Sequence, residues 1–446
     1  MVSQDAAEES PSGGGSPVPP PKAPQPAPLW RNRDYMSWWT SETVSVVGTS
    51  MSTIAFPLVV LYTSGSVVHA GLIAAAQMLG LLVTTLWGGA LADRMSRKAL
   101  MVAGPLAQAA AMAVAAVLIH GHHTQVPLLA ATALAGGLAA GIAKGATTPA
   151  LRRIVPKEQV GQATGQELGR DMAAELVGAP LGGALFSVAR WFPFALDAGS
   201  FVIASIGAAL IRRPLGPDRR PPGAARPGVF DDIRSGLRFV RQQPFLRFTV
   251  AWASLLNVLA QAFVLLFITL VRHRGGGPTA VGVVNSTALI GGVAGAVIGP
   301  ALLAKVRATT VLRYGIWCFA ASFCLVAVVP SWWEIGVVLA IAMVAMVPLN
   351  VVIESYVVRV VPDALSGRVA AVNRFGAQGL AWTGPLLTGV LVEAFGAPGA
   401  SLALGALTVP LALAVHLTGS LSVLDRPVDQ VEELAAPEPA VLVDAE

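Results

Sequence analysis

Residues 153–162 read RIVPKEQVGQ, and residues 359–368 read RVVPDALSGR. At the same offset and with no gap, LVGAPLGGALF from Leu176 aligns with WTGPLLTGVLV from Trp382. The aligned pairs include an arginine, a proline and several glycines, which shared hydrophobicity alone does not explain. They are Arg153 with Arg359, Pro156 with Pro362, Gly161 with Gly367, Gly178 with Gly384 and Gly183 with Gly389. The chain therefore contains an internal repeat whose two copies run in parallel.

The sequence around the repeat is unusually apolar. Of its 446 residues, 54% are hydrophobic and 12% are charged, whereas a soluble domain carries about 25% charged residues. This composition excludes a disordered protein, a coiled coil and a disulfide scaffold. Cys318 and Cys324 lie in one apolar run and face different directions on a helix, so we expect no bridge between them. The pattern predicts an all-α polytopic membrane protein.

Between two polar tails we read twelve apolar segments close to the ~20 residues that cross a bilayer. The first six are 37–62, 69–92, 99–118, 126–148, 166–189 and 192–211, and the second six are 247–271, 280–303, 310–329, 333–355, 368–392 and 399–420. We therefore predict two six-helix bundles, 29–211 and 247–420, related by the parallel repeat. Secondary transporters use such repeats, with the substrate path between the halves near the bilayer midplane.

The remaining segments are polar. Residues 1–28 are rich in proline and glycine and are predicted to be a disordered tail, and residues 421–446 form an acidic tail. The linker 212–246 contains FDDIRSGLRFVRQQPFLRF from Phe230, in which apolar residues at helical spacing alternate with arginines. This pattern predicts an amphipathic helix on the cytoplasmic leaflet, and the alternative is a solvated linker helix.

Basic residues indicate the orientation. If the amino terminus is cytoplasmic, all but four of the 30 lysines and arginines lie on the cytoplasmic side of the predicted spans. The exceptions are Lys144, Arg190, Arg272 and Arg274. We therefore expect both termini in the cytoplasm and the chain in the inner (plasma) membrane of a bacterium. The net charge of +5 then reflects topology rather than a nucleic-acid partner.

The loop after the second predicted span reads GALADRMSRK from Gly89. It resembles the hallmark Gly-x-x-x-Asp-Arg-x-Gly-Arg-Arg/Lys of the major facilitator superfamily, with Ser96 where that family usually has glycine. The matching residues are Gly89, Asp93, Arg94, Arg97 and Lys98. The resemblance implies a cytoplasmic gate that latches the two halves in the outward-facing state. The alternative is a set of positive anchors, but Asp93 does not serve anchoring.

The fifth predicted span contains a second motif, Gly178-Ala-Pro180-Leu-Gly182-Gly183. It resembles the Gly-Pro-x-x-Gly-Gly signature of the superfamily's drug and metabolite antiporters, with alanine and proline exchanged. The alternative is a packing seam of small residues.

Two further stretches narrow the resemblance. Residues 31–66 and the loop IVPKEQVGQATG from Ile154 are similar to the enterobactin-exporter and macrolide-efflux branch, and the likeness extends over roughly residues 30–420. It implies export of small organic molecules in exchange for protons.

A charge within hydrocarbon costs about 2.5–3.5 kcal/mol on insertion scales, so each instance is a functional candidate. Glu175, deep in the fifth span, is the first candidate for proton coupling. Asp171 lies one turn away, and Lys144 is expected at a similar depth, which predicts a Lys144–Asp171 pair that leaves Glu175 free. The alternative is that these three residues neutralise one another. Glu42 and Glu354, nearer the cytoplasmic ends, are further candidates.

Other polar residues within the spans are candidates to line a cavity or to bond neighbouring helices. They are Gln77, Lys144, Asn257, Gln261, Asn285, Asn350 and Gln378. No phosphate-binding loop, nucleophile–base motif or metal-ligand spacing is found, so we expect no ATP drive, no cofactor, no metal and no enzymatic activity.

Together these patterns predict a proton-coupled exporter, an antiporter, of a small organic compound such as a drug, siderophore or secondary metabolite. Its expected partners are that substrate, protons and the lipid bilayer, and neither nucleic acid nor ATP. One alternative is a proton-coupled uptake symporter. Another is a non-transporting sensor or scaffold on a transporter fold, although both tails look too short for a signalling domain.

Overall fold

The computed structural model describes residues 28–92, 95–216, 229–362, 365–426 and 430–431. These residues form thirteen α-helices and no strand, which confirms the all-α class. The first half contains α1 (Arg33–Thr63), α2 (Val67–Ala92), α3 (Arg97–His120), α4 (Val126–Ile154), α5 (Val160–Val188) and α6 (Phe192–Ala209). The linker and second half contain α7 (Val229–Gln242), α8 (Pro244–His273), α9 (Pro278–Leu303), α10 (Ala308–Val328), α11 (Trp332–Val360), α12 (Ser366–Gln378) and α13 (Thr383–Leu417).

Ten helical stretches of the described chain are long and apolar enough to cross a membrane. α5 is not among them because it carries several charged residues, and 366–417 counts as one stretch. That stretch is interrupted at 379–382 and again at Gly396, whose φ of 70° is not helical, so α13 consists of the helices 383–395 and 397–417. The count of twelve spans therefore stays a prediction, and Cys318 and Cys324 are unbridged as expected.

The helices of each half pack in matching pairs. In the first half α1 packs on α5 and α6, α2 on α4, and α3 on α4 and α6. In the second half α8 packs on α13, α9 on α11, and α10 on α11 and α13. The two halves meet along two seams, α2 with α13 and α5 with α9.

The repeat is visible at these seams. Gly71 of α2 lies on the backbone carbonyl of Pro385, and Gly282 of α9 lies on that of Ala179. Residue 385 is the repeat counterpart of residue 179, at the same offset that relates Arg359 to Arg153. A Cβ atom on either glycine would overlap the opposing carbonyl. Backbone contact across both seams thus depends on glycine, as small residues permit in packed membrane helices.

The linker joins the halves at one end of the bundle, here called the linker end. The Asp34 carboxylate accepts hydrogen bonds from the backbone N–H groups of Arg212 at 3.0 Å and Arg213 at 3.2 Å. Lys98 donates from Nζ to the Ile211 carbonyl at 2.7 Å. The opposite end, where α1 turns into α2 and α8 into α9, is called the far end.

The predicted amphipathic helix is α7. Its residues Phe239 and Val240 are buried in the core of the second half, and Gly236 packs on the Arg368 carbonyl of α12. Arg234, Arg238 and Arg241 are exposed. Two apolar residues of α7 therefore pack on protein, whereas Leu237 is exposed, and binding of α7 to a membrane surface stays a prediction. The side chains of 229–233 lie outside the described residues.

Candidate functional site

Three cavities with a common wall at Gln261 lie between the two halves. The largest, about 620 Å³, is called the acidic cavity because four of its six charged residues are acids. Its charged residues are Glu42, Lys144, Glu167, Arg170, Asp171 and Glu175. The second, about 580 Å³, is called the basic cavity because its charged residues are Lys144, Arg152 and Arg374. The third, about 380 Å³, is called the Asp197 cavity after the one charged residue among its described lining residues.

Arg170 is the centre of charge in the acidic cavity. Its side chain is buried, and its Nη2 and Nε atoms donate to Asp171 Oδ1 at 2.7 and 2.9 Å. The guanidinium lies 5.4 Å from the centre of the Trp38 ring, which adds a cation–π contact. Arg170 thus neutralises one of the four acids, and the other three carboxylates share the cavity with Lys144.

The predicted Lys144–Asp171 pair is therefore not formed. Asp171 pairs with its neighbour Arg170, and no ion pair joins Lys144 to Asp171 in the described chain. Neighbouring residues on a helix do not face each other, but the long arginine side chain bends back to reach the carboxylate. Lys144 instead lies exposed where the acidic and basic cavities meet.

Glu175 faces the acidic cavity as predicted. Its side chain is exposed there, and Asn285 of α9 lines the same cavity. Two residues singled out from sequence for different reasons, Glu175 in the first half and Asn285 in the second, thus line one cavity.

The remaining candidates fall into two groups. Glu42 lines the acidic cavity, Gln77 and Gln261 line the Asp197 cavity, and Asn257 and Gln378 line the basic cavity. The Asn257 amide donates to the Ala253 carbonyl of its own helix at 2.8 Å. Asn350 and Glu354 are exposed on α11 and line none of these three cavities.

The glycine–proline motif of α5 lies where α5 packs on α1 and, across one seam, on α9. Gly178 and Gly182 pack on α1, and Gly183 packs on the Pro278 carbonyl of α9. Pro180 has no N–H, so the Leu176 carbonyl one turn earlier loses its helical hydrogen bond. Ser286 of α9 donates to that carbonyl at 2.6 Å. The motif therefore joins α5 to both neighbours, and its role in antiport stays a prediction.

The predicted cytoplasmic gate is described only in part, because Asp93 and Arg94 lie outside the described residues. Gly89 lies near the end of α2. Ser96 caps α3, its hydroxyl accepting a hydrogen bond from the Ala99 N–H at 3.4 Å. The Arg97 backbone N–H donates to the Leu215 carbonyl at 3.0 Å, and Lys98 Nζ donates to the Ile211 carbonyl. A latch between the halves stays a prediction.

Contacts between the halves concentrate at the far end. Ser66 donates to Glu393 at 3.0 Å, and Arg272 donates from Nη1 to the Leu61 carbonyl at 2.7 Å. The Arg272 guanidinium also lies over the Tyr62 ring. None of these contact residues lines the three cavities, whereas the basic cavity reaches Arg152, near the linker end. The structure is closed at the far end.

Sequence reasoning missed two acids. Glu167 lines the acidic cavity, and Asp197 of α6 is almost fully buried, with 1% of its surface exposed. Both lie within predicted spans, 166–189 and 192–211. The unfavourable energy of a carboxylate in hydrocarbon, which pointed to Glu175, also points to them.

Two helical bundles with cavities between them, closed at one end, are the architecture of integral membrane transporters. Residues 38–382 match the Major Facilitator Superfamily, and the chain belongs to that family. It is therefore a transporter of small molecules and not an enzyme.

Individual relatives agree with this assignment. The chain is 27% identical over 375 residues to the multidrug efflux pump Tap of Mycolicibacterium fortuitum, covering 80% of this chain and 88% of Tap. A mutant form of the nucleoside transporter NupG superposes with a TM-score of 0.71 at 13% identity, covering 85% of this chain and 99% of NupG. A bacterial homologue of the iron transporter ferroportin, in an inward-facing state, gives a TM-score of 0.66 at 15% identity, covering 88% of this chain and all of that one. The two structures show the fold alone.

Proposed function

We propose that the protein is a proton-coupled exporter, an antiporter, of a small organic compound, and that it works by alternating access. The observation that carries the proposal is the acidic cavity between the halves, which Glu175 of α5 lines together with Asn285 of α9. The similarity to the multidrug efflux pump Tap supports export. The similarity of the opening helix to the enterobactin-exporter and macrolide-efflux branch supports it further.

A carboxylate in this position links two binding events. Glu175 has no cationic partner among the described residues, so either a proton or a positively charged group of the substrate neutralises it. Because one carboxylate cannot be neutralised by both at once, the two ligands compete. Competition of this kind is what antiport needs, since release of one ligand accompanies binding of the other.

The position between the halves links this competition to movement. Glu175 belongs to α5 and Asn285 to α9, which form one of the two seams. A rocking motion that opens the far end separates these helices and changes the surroundings of the carboxylate. The state of Glu175 therefore biases the equilibrium between the two open states.

The charge of the cavity favours a particular chemistry. Four acids and two bases line the acidic cavity, so its walls attract a compound that carries positive charge. Its apolar lining, which includes Trp38, Phe201 and Phe267, suits an aromatic or aliphatic body. Lipophilic organic cations are therefore the substrates that we would test first.

The test uses purified protein in liposomes that contain a pH-sensitive dye, with ethidium, a lipophilic cation, as the probe. An imposed ethidium gradient is expected to drive protons in the opposite direction. Glu175→Gln is expected to reduce this proton movement about tenfold or more. Glu158→Gln, a matched change at an exposed position outside the cavities, is the control.

Each other result has a distinct meaning. Proton movement in the same direction as ethidium would identify a symporter. Ethidium binding without movement of ethidium or protons would favour the sensor. Full coupling in Glu175→Gln would exclude this residue as the coupling site.

A further inference from the structure

The most buried carboxyl group lining these cavities belongs to Asp197. It lies five residues into α6, about 7.5 Å along the helix axis. Its nearest polar neighbours are hydroxyl groups: Ser52 Oγ lies 2.5 Å from Oδ2, and Ser200 Oγ lies 3.2 Å from Oδ1. Gly48 of α1 permits this approach, because a Cβ there would lie 2.7 Å from Oδ1.

No cation balances this carboxyl. In the part of the chain that the structure describes, no lysine, arginine or histidine forms an ion pair with Asp197. The helices that pack on α6 are α1, α3 and α5. Their charged and titratable groups lie elsewhere along those helices, and those described are Arg33, Asp34, Tyr35, Glu42, Tyr62, Arg97, Lys98, His120, Glu167, Arg170, Asp171 and Glu175. An ionised Asp197 would leave an uncompensated charge in the protein interior, which is strongly unfavourable.

The hydroxyl groups are placed to serve both charge states. Each serine hydroxyl has one hydrogen and two acceptors within reach. Ser52 Oγ lies 3.1 Å from the Thr49 carbonyl as well as close to Oδ2, and Ser200 Oγ lies 2.8 Å from the Asp197 carbonyl as well as near Oδ1. With Asp197 ionised, both hydroxyls donate to the carboxylate. With Asp197 protonated, its O–H donates to Ser52 Oγ, and Ser52 turns its hydrogen to the Thr49 carbonyl. The site thus accommodates both charge states of Asp197 by rotation of the Ser52 hydroxyl, without movement of heavier atoms.

The carboxyl group also has access to the transport path. Asp197 lines the Asp197 cavity, whose walls include Gln77 of the first half and Gln261 of the second. This cavity shares Thr49, Phe201 and Gln261 with the acidic cavity that holds Glu175. A proton that leaves Asp197 therefore enters the space in which the substrate would bind.

We propose that Asp197 is a second proton-binding residue of the transporter, held by Ser52 and Ser200 and loaded or emptied through the cavity between the halves. The step is the formation or breakage of one O–H bond on the Asp197 carboxyl, with the proton exchanged with water in the cavity. The inference rests on the proposed proton coupling. It adds to Glu175 a carboxyl that lies against α1 rather than against the second half.

Infrared spectroscopy tests the protonation directly and needs no substrate. A protonated carboxyl gives a C=O stretching band above the amide I region, and a pH-difference spectrum of the purified protein isolates it. We expect this band in wild type and in Asp425→Asn, an exposed matched control, and its loss in Asp197→Asn. Ser52→Ala retains the carboxyl and is expected to shift the band, because one hydrogen bond is removed. A wild-type spectrum unchanged by both Asp197→Asn and Ser52→Ala would overturn the inference.

Transport measurements separate this inference from the proposed function. In liposomes, Asp197→Asn is expected to reduce ethidium-driven proton movement about tenfold or more, and to leave ethidium–ethidium exchange within about twofold of wild type. Wild-type proton movement that survives in Asp197→Asn would overturn the inference alone. Absence of proton movement in wild type would overturn the proposed function, and the coupling role of Asp197 with it.

Discussion

α5 and its repeat counterpart, the segment formed by α12 and the start of α13, differ at the same position. Glu175 lies in the uninterrupted helix α5, and its counterpart Ala381 lies in the turn 379–382 that separates α12 from α13. One copy therefore carries a carboxyl group, and the other carries a break in the helix. Discontinuous helices at a cavity are a recurring feature of transporter sites, and here the break lines the basic cavity.

The comparison separates what the repeat shares from what it does not. Both copies share the closing contacts, because Gly71 meets Pro385 as Gly282 meets Ala179. The described acids that line the three cavities all belong to the first half, and the second half contributes amides such as Asn285. The two seams are thus built alike, whereas proton chemistry is proposed for one half alone.

The glycine–carbonyl contacts shared by the two seams predict the largest effect. Gly282→Val places a side chain against the Ala179 carbonyl, and Gly71→Val does the same at Pro385. We expect either variant to prevent closure of the far end and to reduce ethidium transport about 100-fold. Spin labels at Ser64 and Phe395 are expected to move apart. Gly199→Val, where a Cβ would meet open space, is the control, and equal transport in all three variants would contradict the prediction.

The difference between Glu175 and its counterpart Ala381 predicts that an acid moved to the other half does not restore proton coupling. If the repeat positions were equivalent, the double variant Glu175→Gln, Ala381→Glu would move the acid to the other half and retain coupling. We expect it to stay as uncoupled as Glu175→Gln, because Ala381 is 4% exposed and lies in the turn rather than opposite Asn285. Ethidium-driven proton movement is the measurement. Recovery to half of the wild-type rate or more would show that the two positions are interchangeable.

The proline of α5 predicts the smallest effect. Ser286→Ala leaves the Leu176 carbonyl without its donor and is expected to destabilise the protein by about 1 kcal/mol. Pro180→Ala restores a backbone N–H for the same carbonyl, so the serine becomes less important. In a double-mutant cycle followed by thermal unfolding, Ser286→Ala should therefore matter less in the Pro180→Ala background. Additive effects would show that Ser286 does not compensate for the proline.

Much of the fold follows from the sequence. The offset between Arg153 and Arg359 predicts the repeat, and the apolar segments predict the helix ends to within six residues, except that 368–392 is divided between α12 and α13. The break before α13 was not predicted, because residues 368–392 read as one apolar segment. An apolar run does not report an interruption within a helix.

The candidate site was predictable in part. Glu175 and Asn285 follow from polar residues within apolar segments. The partner of Asp171 does not, because spacing along a helix favours pairs three or four residues apart, and Arg170 is adjacent. Asp197 obeys the rule that pointed to Glu175. The sequence does not show which residues surround Asp197, because its partner Ser52 lies 145 positions away along the chain.

The anchors at the linker end determine how far the two halves are free to separate. Asp34 fixes the chain to the first half at Arg212 and Arg213, and Gly236 fixes it to the second half through α12. The chain from residue 213 to the start of α7 at Val229 has a contour length of at most about 55 Å, more than a rocking motion spans. The length of the covalent connection therefore does not limit the movement of the two halves. Cutting it, by expressing the halves as two polypeptides, would raise the entropy of the separated parts without changing the limits of their movement.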